Sequence, residues 1–258
     1  MNKIADIAKD LFGDNTPCKC GGSHQICLKC HRCRANDDDN LYHQDKGMAS
    51  IIDATILRAD ATNSDVEALI AVANQYETAS VCINSHFIPL IKLLLKPQIK
   101  SCTVINFPLG ASSVDCIAAE AEAALNAGVD EVDMVQNLSA LLSGDYSNAL
   151  RSIQGVVNLC AGRGILKVIL ETCYLSGEQI IISCLLAKKA GADFVKTSTG
   201  FGSAGATPEN IALMRQVVGS KMGVKASGGI RNRAMAVQMI EAGASRIGAS
   251  SVSAIVEQ

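Results

Sequence analysis

Three lysines recur at a fixed interval along the second half of the chain. Lys167, Lys196 and Lys225 are separated by 29 residues each time, and each stands in a short apolar segment. This interval suits one strand, one helix and their connections, so we expect the three residues at a similar level on three consecutive strands. Side chains alternate between the two faces of a strand, which places each lysine opposite a neighbouring valine. All three lysines are therefore expected to point away from the helices that cover the sheet.

Lysine is normally a solvated edge residue when it occurs in an open antiparallel sheet. A parallel sheet is covered on both faces, so these amines must lie in a partly dry interior. Neighbouring cations there favour each other's neutral form, and an uncharged amine is what a Schiff-base nucleophile requires. Burial of three lysines also requires negative charge nearby. Asp133 has the inward parity on its own strand, and Asp53 and Glu171 are further candidates for compensating carboxylates.

A second group of residues lies in glycine-rich loops after the last three predicted strands. Its candidate binding residues are Gly200, Phe201, Gly228, Gly229, Gly248, Ser250 and Ser251. Backbone N–H groups in such loops, and at the start of a short final helix, commonly hold a phosphate in parallel barrels. Each glycine pair alone is more often a tight turn, but three in consecutive positions predict a phosphate site. Arg231 either adds charge to that site or lies at the surface.

The elements that position these residues follow from alternating short apolar runs and longer amphipathic stretches. Eight runs are predicted as strands, at 50–57, 79–84, 101–107, 131–136, 166–171, 192–198, 222–227 and 245–250. Helices are predicted at 113–127, 178–190 and 208–218, with a short last one at 252–256. Thr207 is a good N-cap for the third of these, and Pro208 fits its first turn.

Eight strands in about 210 residues indicate an α/β protein with the (β/α)8 architecture of a TIM barrel, whose closure leaves no edge strand. A doubly wound open sheet is the alternative, which is weakened because no GxGxxG follows the first strand. We predict a barrel over residues 49–258, preceded by a short Cys-rich N-terminal extension and linker at 1–48.

The composition excludes several classes of protein. The 258 residues include 23 basic and 25 acidic side chains, a formal net charge of −2, which argues against a dedicated nucleic-acid binder. No apolar run is long enough to span a bilayer, and the first residues carry acidic side chains where a secretory signal would be apolar. We therefore predict a cytoplasmic protein with neither a nucleic-acid nor a membrane partner. The sequence leaves the oligomeric state open, a homo-oligomer included.

Four segments carry a resemblance to a known family, at 130–135, 166–172, 191–201 and 223–231, where FVKTSTGF and GVKASGGIR are the most specific. They closely resemble deoxyribose-phosphate aldolase, and the resemblance extends over roughly residues 50–256 in order and without large gaps. It implies a class I aldolase that reversibly cleaves 2-deoxy-D-ribose 5-phosphate to D-glyceraldehyde 3-phosphate and acetaldehyde. It also implies a lysine Schiff base, with no metal and no other cofactor.

The resemblance assigns roles to individual residues. It implies that Lys196 forms the Schiff base, that Lys225 lies beside it and lowers its proton affinity, and that Asp133 moves protons with a water and Lys225. Supporting positions at the substrate pocket match Asp53, Cys82 and Lys167.

The first strand departs from the family pattern. Ala54 stands where the family usually has histidine, and Arg58 and Ala59 stand where it has lysine and proline. These changes concern pocket shape more than reaction type, because they leave the lysines and Asp133 untouched. Two other functions remain open at this point, a Schiff-base aldolase for another sugar phosphate and a non-catalytic sugar-phosphate-binding barrel. The second has no reason to keep inward lysines together with an acid.

The 11 cysteines fall into two groups. Five lie in the extension, at Cys18, Cys20, Cys27, Cys30 and Cys33. Their spacing fits either a small zinc knuckle or an unstructured tail whose thiols bind nothing. The other six are read as small buried hydrophobic residues, at Cys82, Cys102, Cys116, Cys160, Cys173 and Cys184.

Overall fold

The computed structural model describes residues 7, 9–11 and 47–257. Eight parallel strands close into a barrel in chain order, and β8 pairs with β1. The strands are β1 Ile52–Ile56, β2 Ser80–Ile83, β3 Lys100–Ile105, β4 Glu131–Val135, β5 Ile165–Ile169, β6 Phe194–Lys196, β7 Gly223–Ser227 and β8 Arg246–Ala249. The predicted TIM barrel and all eight predicted strands are confirmed.

Helices cover the outside of the barrel, and the four that the sequence predicts are present. The helices are α1 Asn63–Tyr76, α2 Ile88–Leu94, α3 Val114–Asn126, α4 Leu138–Leu142, α5 Tyr146–Cys160, α6 Gly177–Ala190, α7 Pro208–Val218, α8 Arg233–Glu241 and α9 Val252–Val256. Short 3₁₀ turns precede β1 and follow β2 and β5. The Thr207 side chain accepts a hydrogen bond from the Asn210 amide at 3.2 Å, so the predicted cap of α7 is confirmed.

The outer face of each strand is aliphatic and packs against the helices. Val132, Val168, Val195 and Val224 are all fully buried in this layer. Because strand residues alternate, the side chains beside these valines must face the barrel interior. This alternation is what directs aspartate and lysine side chains inward on β4 to β7.

The level of the three lysines differs from the prediction in one respect. Lys196 pairs with Lys225 in the register of β6 and β7, but Lys167 pairs with Phe194, two residues before Lys196. The equal spacing in the sequence therefore does not give equal level, because the connections between these strands differ in length. β6 is also shorter than the predicted 192–198, because the chain leaves the strand after Lys196. Just beyond it, the amide of Thr199 donates a hydrogen bond to Glu171.

The N-terminal region is described only at residues 7 and 9–11, which are helical. Ile7 and Leu11 pack against the core of the barrel. The five clustered cysteines lie outside the described residues. Of the six other cysteines, four are buried as predicted, whereas Cys116 is exposed and Cys173 is half-buried. Within the described part of the chain, no helix combines the length and apolar character needed to span a bilayer.

Candidate active site

The carboxylate of Asp133 on β4 is the centre of a charged cluster inside the barrel. Its Oδ2 accepts hydrogen bonds from Lys196 Nζ at 2.8 Å and from Lys225 Nζ at 2.7 Å. Its Oδ1 accepts from Lys167 Nζ at 2.8 Å and from the Cys102 thiol at 3.3 Å. The three predicted lysines therefore converge on the predicted aspartate, and one carboxylate serves four donors.

A second layer of ion pairs lies around the same lysines. Asp53 Oδ2 is 2.5 Å from Lys225 Nζ and 3.8 Å from Lys167 Nζ, while its Oδ1 is 2.5 Å from the Arg246 guanidinium. Glu131 is 2.5 Å from Lys167 Nζ and 3.2 Å from Arg246. The Lys225–Asp53 and Lys167–Glu131 contacts are close ion pairs without the alignment of a hydrogen bond. Asp53 thus joins the cluster as predicted.

The surrounding charges outweigh the effect of burial on these groups. Burial alone would raise the pKa of Asp133, but Lys167, Lys196 and Lys225 hold it well below its ordinary value. Burial would likewise lower the pKa of Lys225, yet Asp133 and Asp53 raise it above the ordinary lysine value.

The expected repulsion between the lysines is present, but it does not decide the charge of Lys167 and Lys225. Lys167 acts to lower the pKa of Lys225, as expected of a neighbouring cation. The pKa of Lys167 is nevertheless raised well above its usual value, because Asp133, Cys102 and Glu131 outweigh burial. Lys167 and Lys225 are therefore charged at neutral pH. The carboxylates outweigh the repulsion between the lysines because Glu131 adds a third negative charge to those of Asp53 and Asp133.

Glu171 was expected among the compensating carboxylates, and this is wrong. It has a left-handed backbone with φ of 55° directly after β5, so strand alternation no longer sets its direction. Its carboxylate accepts hydrogen bonds from the amide of Thr199 at 3.2–3.3 Å and from the Thr199 hydroxyl. Glu171 therefore holds the loop after β6 instead of facing the lysines.

A cavity of about 520 Å³ opens above the cluster at the carboxyl ends of the strands. Lys196 contributes to its lining, and Lys167 and Lys225 do not. Six of the predicted loop residues line it, Gly200, Phe201, Gly228, Gly229, Gly248 and Ser250. Ser251 is not among the lining residues and is instead the N-cap residue of α9.

Two glycines allow close packing beneath this cavity. A Cβ on Gly248 would lie 3.0 Å from the Ser227 Cβ and 3.1 Å from the Lys225 Cε, so glycine leaves room for the lysine stem. A Cβ on Gly205 would lie 2.1 Å from the carbonyl oxygen of Gly228, which accepts a hydrogen bond from the Ala206 amide. The loops after β6 and β7 are therefore in direct backbone contact.

Several residues of the site were not proposed from the sequence. Thr55, which lines the cavity, is one of them. The cavity is also lined by Thr199 and Ser227 of the predicted glycine-rich loops, by Arg58 at the departure from the family pattern, and by Arg231, for which the sequence left two interpretations open. Thr55 shares the inward parity of Asp53, and Glu131 shares that of Asp133, so alternation could have identified both. Arg58 forms ion pairs with Asp60 and Asp65 at 2.8 and 2.5 Å.

Among the described residues, one group has ligand atoms close enough to hold a metal ion. Cys82 and Cys102 pair across β2 and β3, and with Asp133 their ligand atoms lie within 4.8 Å of one another. The Asp133 carboxylate is already used by three ammonium groups, which oppose a further cation. Cys82 is fully buried, and its sulfur lies within 4.8 Å of an Asp133 carboxylate oxygen.

Comparison with known proteins gives one consistent result. Residues 47–257 match the DeoC/LacD family aldolase. A deoxyribose-phosphate aldolase of Thermoanaerobacter sp. (strain X514) is 52% identical over 214 residues, which are 82% of this chain and 96% of the relative. That of Carboxydothermus hydrogenoformans is 51% identical, over 81% of this chain and 94% of the relative.

Solved structures agree with this result. The tetrameric deoxyribose phosphate aldolase of Aeropyrum pernix superposes with a TM-score of 0.75 at 30% identity, covering 99% of this chain and 96% of that one. An aldolase designated QR15 gives a TM-score of 0.78 at 36% identity, covering 81% of this chain and 94% of that one.

Proposed function

Because the chain belongs to the DeoC/LacD family of aldolases, as its sequence motifs indicated, we propose that it reversibly cleaves 2-deoxy-D-ribose 5-phosphate to D-glyceraldehyde 3-phosphate and acetaldehyde. The nucleophile is Lys196. The observation that carries this assignment is that, of the three clustered lysines, Lys196 is the one that lines the cavity. Lys167 and Lys225 lie below it and are fully buried.

The reaction follows from the chemistry of an amine and a β-hydroxy aldehyde. The neutral Lys196 Nζ attacks C1 of the open-chain sugar, and loss of water from the carbinolamine gives an iminium ion. Acetaldehyde contains two of the five carbons, so the bond that breaks is C2–C3. Its electron pair moves into the iminium and forms an enamine, while the C3 hydroxyl loses its proton and leaves as the aldehyde of glyceraldehyde 3-phosphate. Protonation of the enamine at C2 and hydrolysis release acetaldehyde and free Lys196.

Asp133 and Lys225 handle the protons in this scheme. Both Lys196 and Lys225 donate to the same Asp133 oxygen, so a proton can pass between these groups over hydrogen-bond distances. Before substrate binds, Lys225 is charged and stabilises Asp133 as a carboxylate. A water molecule, which the reaction itself produces and consumes, connects this pair to the substrate. No metal or organic cofactor is required for these steps.

The phosphate of the substrate binds at the rim formed by the glycine loops after β6, β7 and β8. Gly228, Gly229 and Ser250 line the same cavity as Lys196, and Arg231 adds a positive charge there. Backbone N–H groups in such loops suit a phosphate dianion, and holding that end of the sugar directs C1 towards Lys196. The fully buried Asp53, Cys82 and Lys167 support the pocket from below and from the side.

Borohydride trapping tests the assignment. Reduction in the presence of deoxyribose 5-phosphate or acetaldehyde should add the corresponding mass to the peptide that contains Lys196 and to no other. The Lys196→Leu variant should lose the adduct and the activity. The control is Lys100→Leu, at an exposed lysine that begins β3, and it should keep both. An adduct on Lys167 or Lys225 would reverse the assignment, and turnover of a different sugar phosphate alone would correct the substrate.

The related Aeropyrum pernix enzyme is a tetramer, and we propose that this chain also forms a homo-oligomer. Leu93 and Leu109 are large apolar side chains that are about three-quarters exposed in the single chain, which supports this proposal. Light scattering on the purified full chain measures its state directly, and a monomer at all concentrations would refute it. The cytoplasmic location and the lack of nucleic-acid and membrane partners stay predictions.

A further inference from the structure

Six side chains beneath the cavity form a closed ring of alternating charges. The ring runs from Arg246 to Asp53, Lys225, Asp133, Lys167 and Glu131, and returns to Arg246. Each member contacts one neighbour on either side at 2.5–3.2 Å. The side chains are at most 4% exposed, except for Arg246 at 14%. Three cations and three carboxylates therefore balance one another away from water.

Lys196 lies outside this balance. It hydrogen-bonds to Asp133 Oδ2, but no other carboxylate in the described part of the chain is within ion-pair distance of it. If Lys196 is charged, the seven groups carry a net charge of +1, and if it is neutral they carry none. Loss of its proton thus leaves a balanced buried cluster, whereas loss of a proton from Lys167 or Lys225 breaks the ring at a member with two carboxylate partners.

We infer that Glu131 and Arg246 are positioning residues, which close this ring and so determine that Lys196 is the amine that becomes nucleophilic. Neither residue lines the cavity. Glu131 acts by holding Lys167 against Asp133, and Arg246 acts by holding Asp53 against Lys225. Both therefore act on the reaction through the charge balance around Lys196 and not by contact with substrate. This inference rests on the proposed function, in which Lys196 is the nucleophile.

The titratable side chains that share the barrel interior with Lys196 come from all of the other strands. They are Asp53 on β1, Cys82 on β2, Cys102 on β3, Glu131 and Asp133 on β4, Lys167 on β5, Lys225 on β7 and Arg246 on β8. Burial raises the pKa of Cys102, so this thiol stays protonated. The hydrogen bond between the two thiols lowers the pKa of Cys82. Arg246 remains charged, because Asp53 and Glu131 raise its pKa despite its burial.

Two substitutions to glutamine alter the charge balance around Lys196 in opposite directions. Glu131→Gln removes a negative charge, which favours neutral Lys196 and should move the acid limb of the kcat–pH profile to lower pH by about one unit. Arg246→Gln removes a positive charge, which favours protonated Lys196 and should move the same limb to higher pH by about one unit. Both variants should also lose up to about a hundredfold in kcat, because Asp133 and Lys225 lose part of their support.

The double variant and two conservative variants separate charge from shape. Glu131→Gln combined with Arg246→Gln leaves two cations and two carboxylates, so its acid limb should return to the wild-type position. Glu131→Asp and Arg246→Lys keep the charge, so their profiles should stay unshifted even where the rate falls. Glu122→Gln, which loses an exposed pair with Arg163, is the control and should leave both rate and profile unchanged.

The experiment measures kcat against pH and the pH dependence of borohydride trapping for each full-length variant, with thermal unfolding as a check. Failure of the wild-type protein to form an adduct at Lys196 would refute the proposed function. A wild-type adduct together with equal or absent shifts in the two single variants would refute the role of the ring. If a single variant does not fold, a shifted profile in the charge-balanced double variant or in the conservative variants overturns the inference on its own.

Discussion

Two sides of the barrel interior are both buried, but one is lined by apolar side chains and the other by charged side chains. On the side of β2 and β3 lies a small apolar cluster of Leu57, Cys82, Cys102 and Val104, with Phe107 packed against it. Around the rest of the barrel lie the charges of the ring and Lys196. An apolar contact needs only a neighbour of the right size, but a buried charge needs a particular partner. Changes on the apolar side should therefore stay local, and changes on the ionic side should spread.

The two sides differ at the rim as well. Phe107, above the apolar side, contacts Phe201 edge to face with ring centroids 5.5 Å apart. The loops after β7 and β8, above the ionic side, present Gly228, Gly229 and Ser250 to the cavity. The cavity lining thus includes one aromatic side chain, Phe201, and the backbone-rich loops after β7 and β8. An anionic group of the substrate should bind to these loops.

Replacing Asp133 should give the largest effect on the ionic side. Asp133→Asn removes the carboxylate that three ammonium groups contact, so kcat should fall about a thousandfold, within the range for a lost proton-transfer group. The free energy of unfolding should fall by about 3–5 kcal/mol, because buried cations lose their partner. Steady-state kinetics and urea unfolding measure the two effects. Asp115→Asn, at an exposed position of α3, should change neither, and a fully stable Asp133→Asn protein would contradict the ionic account.

The next largest effect is expected at the rim above the ionic side. Ser250→Asp places a carboxylate where the phosphate is proposed to bind, so KM for deoxyribose 5-phosphate should rise at least about tenfold through charge repulsion. KM for unphosphorylated deoxyribose should change by no more than about twofold, since that substrate carries no charge. Ser250→Asn is the matched uncharged control. Equal increases in KM for both substrates would place the phosphate elsewhere.

Lys225 tests whether the ionic side acts through its charge. Its pKa is raised by Asp133 and Asp53, so Lys225 is charged across the neutral range. Lys225→Leu removes this charge and favours the ammonium form of Lys196, so the acid limb of the activity profile should move to higher pH by about one unit as the rate falls. Lys100→Leu removes an exposed charge and should leave the profile in place. Full activity with an unchanged profile would show that Lys225 only supports the fold.

The smallest effect should come from the apolar side. Cys102→Ala removes one thiol from the small cluster and two weak hydrogen bonds, one donated to Asp133 and one accepted from Lys167 Nζ at 3.5 Å, so the free energy of unfolding should fall by about 1 kcal/mol and kcat by less than about threefold. Cys184→Ala, in a fully buried position of α6, is a control for the loss of a buried sulfur. A loss of activity in Cys102→Ala as large as that in Asp133→Asn would mean that the two sides are not independent.

The sequence predicted much of this arrangement, because alternation in strands is a strong constraint when both faces of a sheet are covered. It placed Asp133 and the three lysines inside the barrel, and the structure brings them within hydrogen-bond distance. It did not propose Glu131, although this residue has the same parity as Asp133. Catalytic groups in parallel barrels lie at the carboxyl ends of strands, whereas Glu131 is the first residue of β4.

Other parts of the site depend on geometry that one sequence does not contain. Glu171 follows a strand directly, but its left-handed backbone turns it towards Thr199. The contact between Arg246 and Asp53 joins the last strand to the first, and no local pattern specifies it. The charged state of Lys167 could not be inferred either, because it depends on how many carboxylates surround the amine, and those come from other strands.

The closed ring of charges also constrains how the protein folds. Its members are distant in the chain: the sequence separation is 193 for Asp53 and Arg246, 115 for Glu131 and Arg246, and 92 for Asp133 and Lys225. An incomplete sheet would have to keep some of these charges hydrated, which opposes a dry interior until β8 docks on β1. Dehydration of the interior and closure of the barrel should therefore occur together and late, through contacts of high sequence separation. The same residues that tune a reactive amine thus make the final step of assembly cooperative.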